Sequence, residues 1–254
     1  VKSEAPRAPA VVKAVAVLTR LSESAGRGPV KLATLAEDLG AAKSSLLTVL
    51  NALVDGGLIQ RTEVGYTLGP SLVGLSSAYL AGINEIDAFY AACRRHAADL
   101  VDTIHLATFS ADLEISYLAR LDGVTMPVVS PIGRSLPATC SATGKALLSR
   151  LSEDELERRL GSIDVLPSLT PQSITDPDEL RSELKLTYER GYGIDDGETT
   201  TGLLCTGMPV PDRRSSRWAV GITMIKTADP ELGIERAVRT LTAVTADIAH
   251  HLGQ

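Results

Sequence analysis

Residues 31–69 read KLATLAEDLGAAKSSLLTVLNALVDGGLIQRTEVGYTLG, and the spacing of apolar residues here decides the fold expected at the start of the chain. Leu32, Leu35, Ala36 and Leu39 follow the three- and four-residue steps of an amphipathic helix, which Gly40 stops. After Ala41 and Ala42 the pattern restarts with Leu46, Val49, Leu50 and Leu53, and ends at Gly56-Gly57. Two short runs, 58–61 and 66–68, then flank Glu63-Val64-Gly65, which signals a β-hairpin. Two short helices with a tight step between them also suit a protein-binding or dimerising domain. The hairpin directly after them shifts the balance toward a winged helix-turn-helix that reads duplex DNA.

With Leu46, Val49, Leu50 and Leu53 turned inward, the opposite helix face presents Lys43, Ser44, Ser45, Leu47, Thr48 and Asn51. Short polar side chains let a helix approach the DNA backbone closely. Ser44 or Ser45 can bond a phosphate at the helix N-terminus, where free N–H groups point outward. Asn51 can read adenine, and Leu47 or Thr48 can touch a thymine methyl. Arg61, beside the hairpin turn, suits a wing contact to the backbone or minor groove.

Upstream, Val11 to Leu21 reads as a helix with Val11, Val15, Leu18 and Leu21 on one face, broken by Gly26-Arg27-Gly28-Pro29. The first ten residues, VKSEAPRAPA, are rich in Pro and Ala and carry no apolar leader segment, so no secretory signal is expected. The whole chain has 254 residues, which suggests roughly two domains. Its 44% apolar and 22% charged residues exclude a disordered chain. No apolar run approaches the ~20 residues of a membrane span, so no membrane partner is expected. Three cysteines far apart, Cys93, Cys140 and Cys205, suit a reducing cytoplasm and give neither a metal pair nor a disulfide framework. Net charge is −6, yet residues 1–68 hold 8 Lys+Arg against 6 Asp+Glu, while the remainder holds 17 against 25. A phosphate-binding module needs only a local basic face, so the acidic total does not exclude one.

Downstream, residues 69–82 read as a connecting helix and 85–102 as a longer one with Ile86, Phe89, Cys93, Ala97 and Leu100 inward. Strands are expected at 103–110, 113–121, 124–131, 193–195, 202–210 and 217–226. Helices are expected at 142–150, 153–160, 178–190 and 231–252. Without regular βαβ alternation, this pattern gives an α+β domain on an antiparallel sheet.

Three segments together resemble the IclR family of transcriptional regulators: residues 31–69 quoted above, GRSLPATCSATGKALLS at 133–149, and GYGIDDGETTTGLLCTGMPV at 191–210. The resemblance runs from about residue 8 to the C-terminus. It implies a winged helix-turn-helix over 8–69, a linker helix over 70–84 and a GAF-like effector-binding domain over 85–254. It further implies a homodimeric or homotetrameric regulator, often a repressor, whose affinity for a double-stranded DNA operator responds to a small metabolite such as an organic acid. No cofactor and no metal are expected. One departure is plain. The family often carries His-Arg in the recognition helix, where this chain has Leu47 and Thr48. More of the affinity is therefore expected from Lys31, Lys43, Arg61 and oligomerisation through Leu72, Leu75 and Tyr79.

By the same resemblance, Leu136, Ala142 and Thr143 line one wall of an effector pocket. Asp195, Leu203 and Cys205 line another, and Gly221 and Thr223 complete it. The helix opened by Ser141–Lys145 offers N–H groups to a carboxylate, and Asp195 and Thr223 can bond effector hydroxyls. Taken alone, Cys205 is more simply a buried small residue, 195–198 a solvated turn, and Lys145 a surface or helix-terminal lysine. Gly144-Lys145 is no P-loop, because Thr139 and Ala146 stand where glycine and Ser/Thr are required. The competing class is an enzyme: Cys205 with His105 or His96 could make a thiol hydrolase. Against it, there is no nucleophile elbow, no metal-ligand cluster and no dinucleotide fingerprint. His250 and His251 read as surface residues.

Overall fold

Leu46, Val49, Leu50 and Leu53 are buried together, and they pin one helix into the small core of the first of two units. The computed structural model describes residues 8–111, 113–124, 131–161, 163, 165–212 and 217–253. Its two compact units part between Gly82 and Ile83. The N-terminal unit comprises α1 (Pro9–Glu23), α2 (Leu32–Asp38), α3 (Lys43–Asp55), β1 (Ile59–Arg61), β2 (Tyr66–Leu68) and α4 (Ser71–Leu80). Strands β1 and β2 form the expected antiparallel hairpin, with Arg61 opposite Tyr66. Val30 adds a bridge to Tyr66 through two backbone bonds of 2.9 and 2.8 Å, which ties the α1–α2 connection to the hairpin. Gly65 permits that approach, because a Cβ there would lie 2.5 Å from the Val30 carbonyl oxygen. Gly40, at φ +57°, makes the step between α2 and α3 in a conformation other residues resist.

Helix α1 corrects one expectation. Its buried residues are Val17 and Leu21, with Ala14 and Leu18 packed beside them, while Val11 and Val15 are 61% and 58% exposed. The helix is apolar nearly all round, so periodicity alone could not choose its inner stripe; packing against α3 did.

The C-terminal unit is built on a six-stranded, fully antiparallel sheet in the order β5-β4-β3-β8-β7-β6. The strands are β3 (Thr103–Ala111), β4 (Glu114–Leu121), β5 (Ser135–Pro137), β6 (Gly193–Asp196), β7 (Leu203–Pro209) and β8 (Trp218–Ile225). Helices α5 (Asn84–His96) and α9 (Pro230–His251) cover one face, where Phe89, Cys93, Leu241 and Ile248 meet Ile104, Leu106, Val220 and Ile222. On the other face lie α6 (Ala142–Leu148), α7 (Glu153–Leu160) and α8 (Pro177–Arg190), packed through Leu147, Leu148, Leu160, Leu180 and Leu184. The unit is thus α+β with an antiparallel sheet, as the lack of regular βαβ alternation predicts.

Differences from expectation are local. Helix α5 stops at His96 instead of running to Asp102, although Ala97 and Leu100 still pack inward. The strand expected at 124–131 falls largely on residues 125–130, outside the described ones. Strand β5 has only three residues, too few for a periodic signal. Among the described residues, no helix is long and apolar enough to cross a membrane.

Candidate functional site

In the N-terminal unit, the α3 face opposite its core stripe is open. Lys43, Ser44, Leu47, Thr48 and Asn51 are exposed. Ala42, the N-cap, has no side chain to accept from the first turn, so the leading N–H groups of α3 remain available to an anion. Ser45 is only half-exposed, and its hydroxyl accepts a hydrogen bond from Lys13 Nζ on α1. That residue, expected to bond phosphate, is thus already engaged within the protein. Lys31 caps α2 and Arg61 ends β1; both are exposed. Lys31, Lys43 and Arg61 form no ion pair among the described residues.

In the C-terminal unit, strand register lines up two rows on the face beneath α6. The first row is Gly193, Gly207 and Gly221, directly paired across β6, β7 and β8, and continues to His105 on β3. These glycines form a seam on which the backbone of α6 rests: a Cβ on Gly207 would lie 2.5 Å from both Ala142 C and Thr143 N. The second row is Asp195, Cys205, Thr223 and Thr103. Three of the expected pocket residues are therefore cross-strand neighbours, with Gly221 and Thr143 one step away. Cys205 Sγ lies 3.4 Å from Thr223 Oγ1 as a donor to it. Leu203 is half-buried at the edge of the same face, paired with Ile225. Leu136 stands apart on β5, paired with Ile115 and packed into the core under α6–α8.

Two expectations about this region are corrected. Asp195 does not hold its carboxylate free for a hydroxyl. Its Oδ1 accepts from Glu198 N at 2.6 Å and Thr199 N at 3.2 Å, and its Oδ2 accepts from the Thr199 hydroxyl. It anchors the turn after β6 because a buried carboxylate needs donors. The start of α6 is likewise no open carboxylate cradle: the Ser141 hydroxyl accepts from Gly144 N, and every residue from Ser141 to Leu148 is buried.

Lys145 is the third correction. It is 1% exposed, not a surface lysine. Its ammonium pairs with Glu198 and lies 3.8 Å from Glu183 of α8, which Arg190 holds at 2.6 Å. A lone lysine inside the apolar run ATGKALL was the available signal for such a buried pair. Desolvation pushes the Glu198 carboxyl up to about 7, against the pull of Lys145, and raises Asp195 as well. His105, which sequence reasoning noticed only as an enzyme alternative, is buried against Tyr117 with ring centroids 4.2 Å apart. Burial, reinforced by the Arg120 charge, lowers it to about 3, so it is neutral across the physiological range.

Two buried oxygens here have no partner, Thr103 Oγ1 and Glu198 Oε2, while the Thr143 hydroxyl faces the Tyr117 hydroxyl. Buried polar atoms are normally satisfied, so each marks a place where a bound molecule could supply a missing bond. The Cys205 thiol is raised well above its ordinary value, by burial first and the Asp195 charge second, so it stays protonated. No group of His, Cys, Asp and Glu among the described residues could hold a metal ion. A separate cavity of about 490 Å³ lies against the other face of the sheet, between Leu204, Met224, Leu232 and Arg236. It contains none of the expected pocket residues.

The bacterial transcriptional regulator IclR C-terminal profile matches residues 78–250, and the IclR helix-turn-helix profile matches residues 10–63. The chain is 33% identical over 204 residues to the HTH-type transcriptional regulator Rv1719 of Mycobacterium tuberculosis, covering 78% of this chain and 75% of the relative. It is 27% identical over 213 residues to the acetate operon repressor of Salmonella typhimurium, covering 82% and 77%. In shape it is similar to an IclR transcriptional regulator from Alicyclobacillus acidocaldarius. The TM-score is 0.82 at 25% identity, covering 96% of this chain and 98% of that one.

Proposed function

The chain belongs to the IclR family of bacterial transcriptional regulators, and from that premise we propose that it represses a metabolic operon and is released by a small metabolite bound in its C-terminal unit. The observation that carries the DNA half of this reading is α3, with one face fully packed and the other open, polar and headed by an uncapped first turn. Phosphates are held by Lys43, Ser44, Lys31 and the α3 N-terminus, and by Arg61 on the wing. These contacts position the helix, while Leu47, Thr48 and Asn51 meet base edges. The repressor role is supported by likeness to the acetate operon repressor.

The effector takes the row Asp195–Cys205–Thr223–Thr103 together with Thr143, walled by Leu203, Ala142 and Gly221. A polar group of the effector satisfies the orphaned Thr103 hydroxyl. Asp195 acts by holding the turn that forms one wall. Two chains join through the apolar residues of α4, none of which is buried within its own unit, and their winged helices engage half-sites about 34–36 Å apart. A metabolite shifts DNA affinity only by its difference in affinity between two arrangements, typically about 1–3 kcal/mol. A thiol hydrolase at Cys205 is the weaker reading, because its thiol is held protonated and His105 is buried beside Tyr117.

The test is electrophoretic mobility of the full chain on the DNA upstream of its own gene, at rising salt. Salt-sensitive retardation supports the reading, and its absence at low salt refutes it. Asp195→Ala should keep retardation and lose the response to metabolites. A variant that keeps both shows the effector site to lie elsewhere.

A further inference from the structure

We infer that α3 specifies its operator by methyl contact, with Leu47 and Thr48 against thymine C5-methyl groups beside an adenine held by Asn51. This rests on the proposal above that α3 enters the major groove. Helix α3 contains no arginine, and its single cation, Lys43, stands at the first position. The helix therefore has no guanidinium to clamp guanine O6 and N7. Its core stripe is complete with four buried residues, yet Leu47 is a further large apolar side chain, 36% exposed, between polar neighbours.

Two of the hydroxyls on this part of α3 are engaged within the protein. Ser45 accepts from Lys13, and Thr48 Oγ1 donates to the Ser44 carbonyl at 3.4 Å. With its hydroxyl bent back on the helix, Thr48 offers chiefly its methyl group. Leu47 and Thr48 thus make a small apolar patch, and the one apolar feature on the floor of the major groove is the thymine methyl.

Geometry limits where these contacts fall. Three or four residues separate the patch from Asn51, or about 4.5–6 Å along the helix axis. Successive base pairs are about 3.4 Å apart. The methyl and adenine contacts therefore land on adjacent or next-adjacent pairs. The centre of each half-site is a run of two or three A·T pairs with no required guanine.

The experiment starts from a randomised duplex library selected with the full-length chain. The recovered duplex is then rebuilt with deoxyuridine for thymidine at the core, which removes only the methyl. The expected result is a core of consecutive A·T pairs and a loss of affinity of roughly three- to fivefold per methyl removed. Leu47→Ala should narrow the difference between the two duplexes and Leu47→Ala with Thr48→Ser should narrow it further, whereas Lys43→Ala should weaken both by the same factor. An enriched site with G·C at its core, or one indifferent to deoxyuridine, overturns the inference and leaves the regulator reading standing. A library that yields no enriched sequence overturns the regulator reading itself.

Discussion

Lys145 of α6 and Glu198 of the turn after β6 form an ion pair 53 residues apart in the chain, with side chains 1% and 8% exposed. The pair joins the helix on the glycine seam to the turn that Asp195 anchors. The Thr170 and Ser173 hydroxyls hold the same turn from the other side, donating to the Gly197 and Glu198 carbonyls at 2.7 and 2.8 Å. Removing one partner strands the other in low dielectric. Lys145→Met should cost about 3–5 kcal/mol, read as a lower urea midpoint of the C-terminal unit. Lys145→Met combined with Glu198→Gln should recover much of that loss. A double variant no more stable than the single one would show that the pair is not what holds the turn.

Two buried groups give opposing pH dependences. Glu198 is raised from 4.5 to about 7, so its pair with Lys145 is fully ionised only above that value. Across that window the folded protein keeps a proton that the unfolded chain has released, so this group's contribution falls as pH rises. His105 is lowered from 6.5 to about 3. There the unfolded chain takes a proton that the folded one refuses, so stability falls as pH drops through that range. Glu198→Gln should flatten the loss toward neutral pH, and His105→Asn should flatten the loss on the acid side. Urea midpoints at half-unit pH steps would show this. Unchanged slopes in both variants would contradict it.

The glycine seam predicts a steric failure confined to one unit. In Gly207→Ala the new methyl meets the backbone of Ala142 and Thr143 at 2.5 Å, where no flexible side chain can yield. The helix must lift from the sheet, with an expected cost at the upper end of about 1–3 kcal/mol by the overpacking argument. Thermal unfolding of the C-terminal unit should drop accordingly. Normal stability in this variant would mean that α6 does not rest on the seam as described.

Phosphate contacts have a signature in salt. If Lys43 and Arg61 each neutralise one phosphate, Lys43→Ala and Arg61→Ala should each reduce the slope of log affinity against log salt by about 0.9. Sequence preference should stay the same in both. A slope equal to that of the unmodified chain would remove that residue from the DNA interface.

Helix α4 makes a separate prediction about assembly. Leu75 and Tyr79 are 60% and 59% exposed on an apolar helix with no buried residue. If a second copy covers them, Leu75→Glu with Tyr79→Glu should lower the solution mass measured by light scattering and weaken operator binding. An unchanged mass would place the contact between subunits elsewhere.

The winged helix was legible because it is local. Leu46, Val49, Leu50 and Leu53 lie within one helix, and Gly40 and Gly57, both at positive φ, mark its boundaries through their own backbone needs. The pocket was legible only in part. The resemblance named Asp195, Cys205 and Thr223, and register made them cross-strand neighbours. Thr103 escaped notice, and His105 entered only as an enzyme alternative, because nothing within residues 103–105 says which strand they will lie beside.

Chain order and residue type by themselves determined where most of the described helices and strands form, which α3 face turns outward and that no guanidinium stands on it. These follow from short-range sterics and the 3.6- and 2-residue periods. Only the tertiary structure decided that Lys145 is buried against Glu198, that Asp195 anchors a turn and that Val11 and Val15 face outward. Each depends on what another segment, distant in sequence, brings alongside, and the free energy of a charge or methyl group is set by those neighbours.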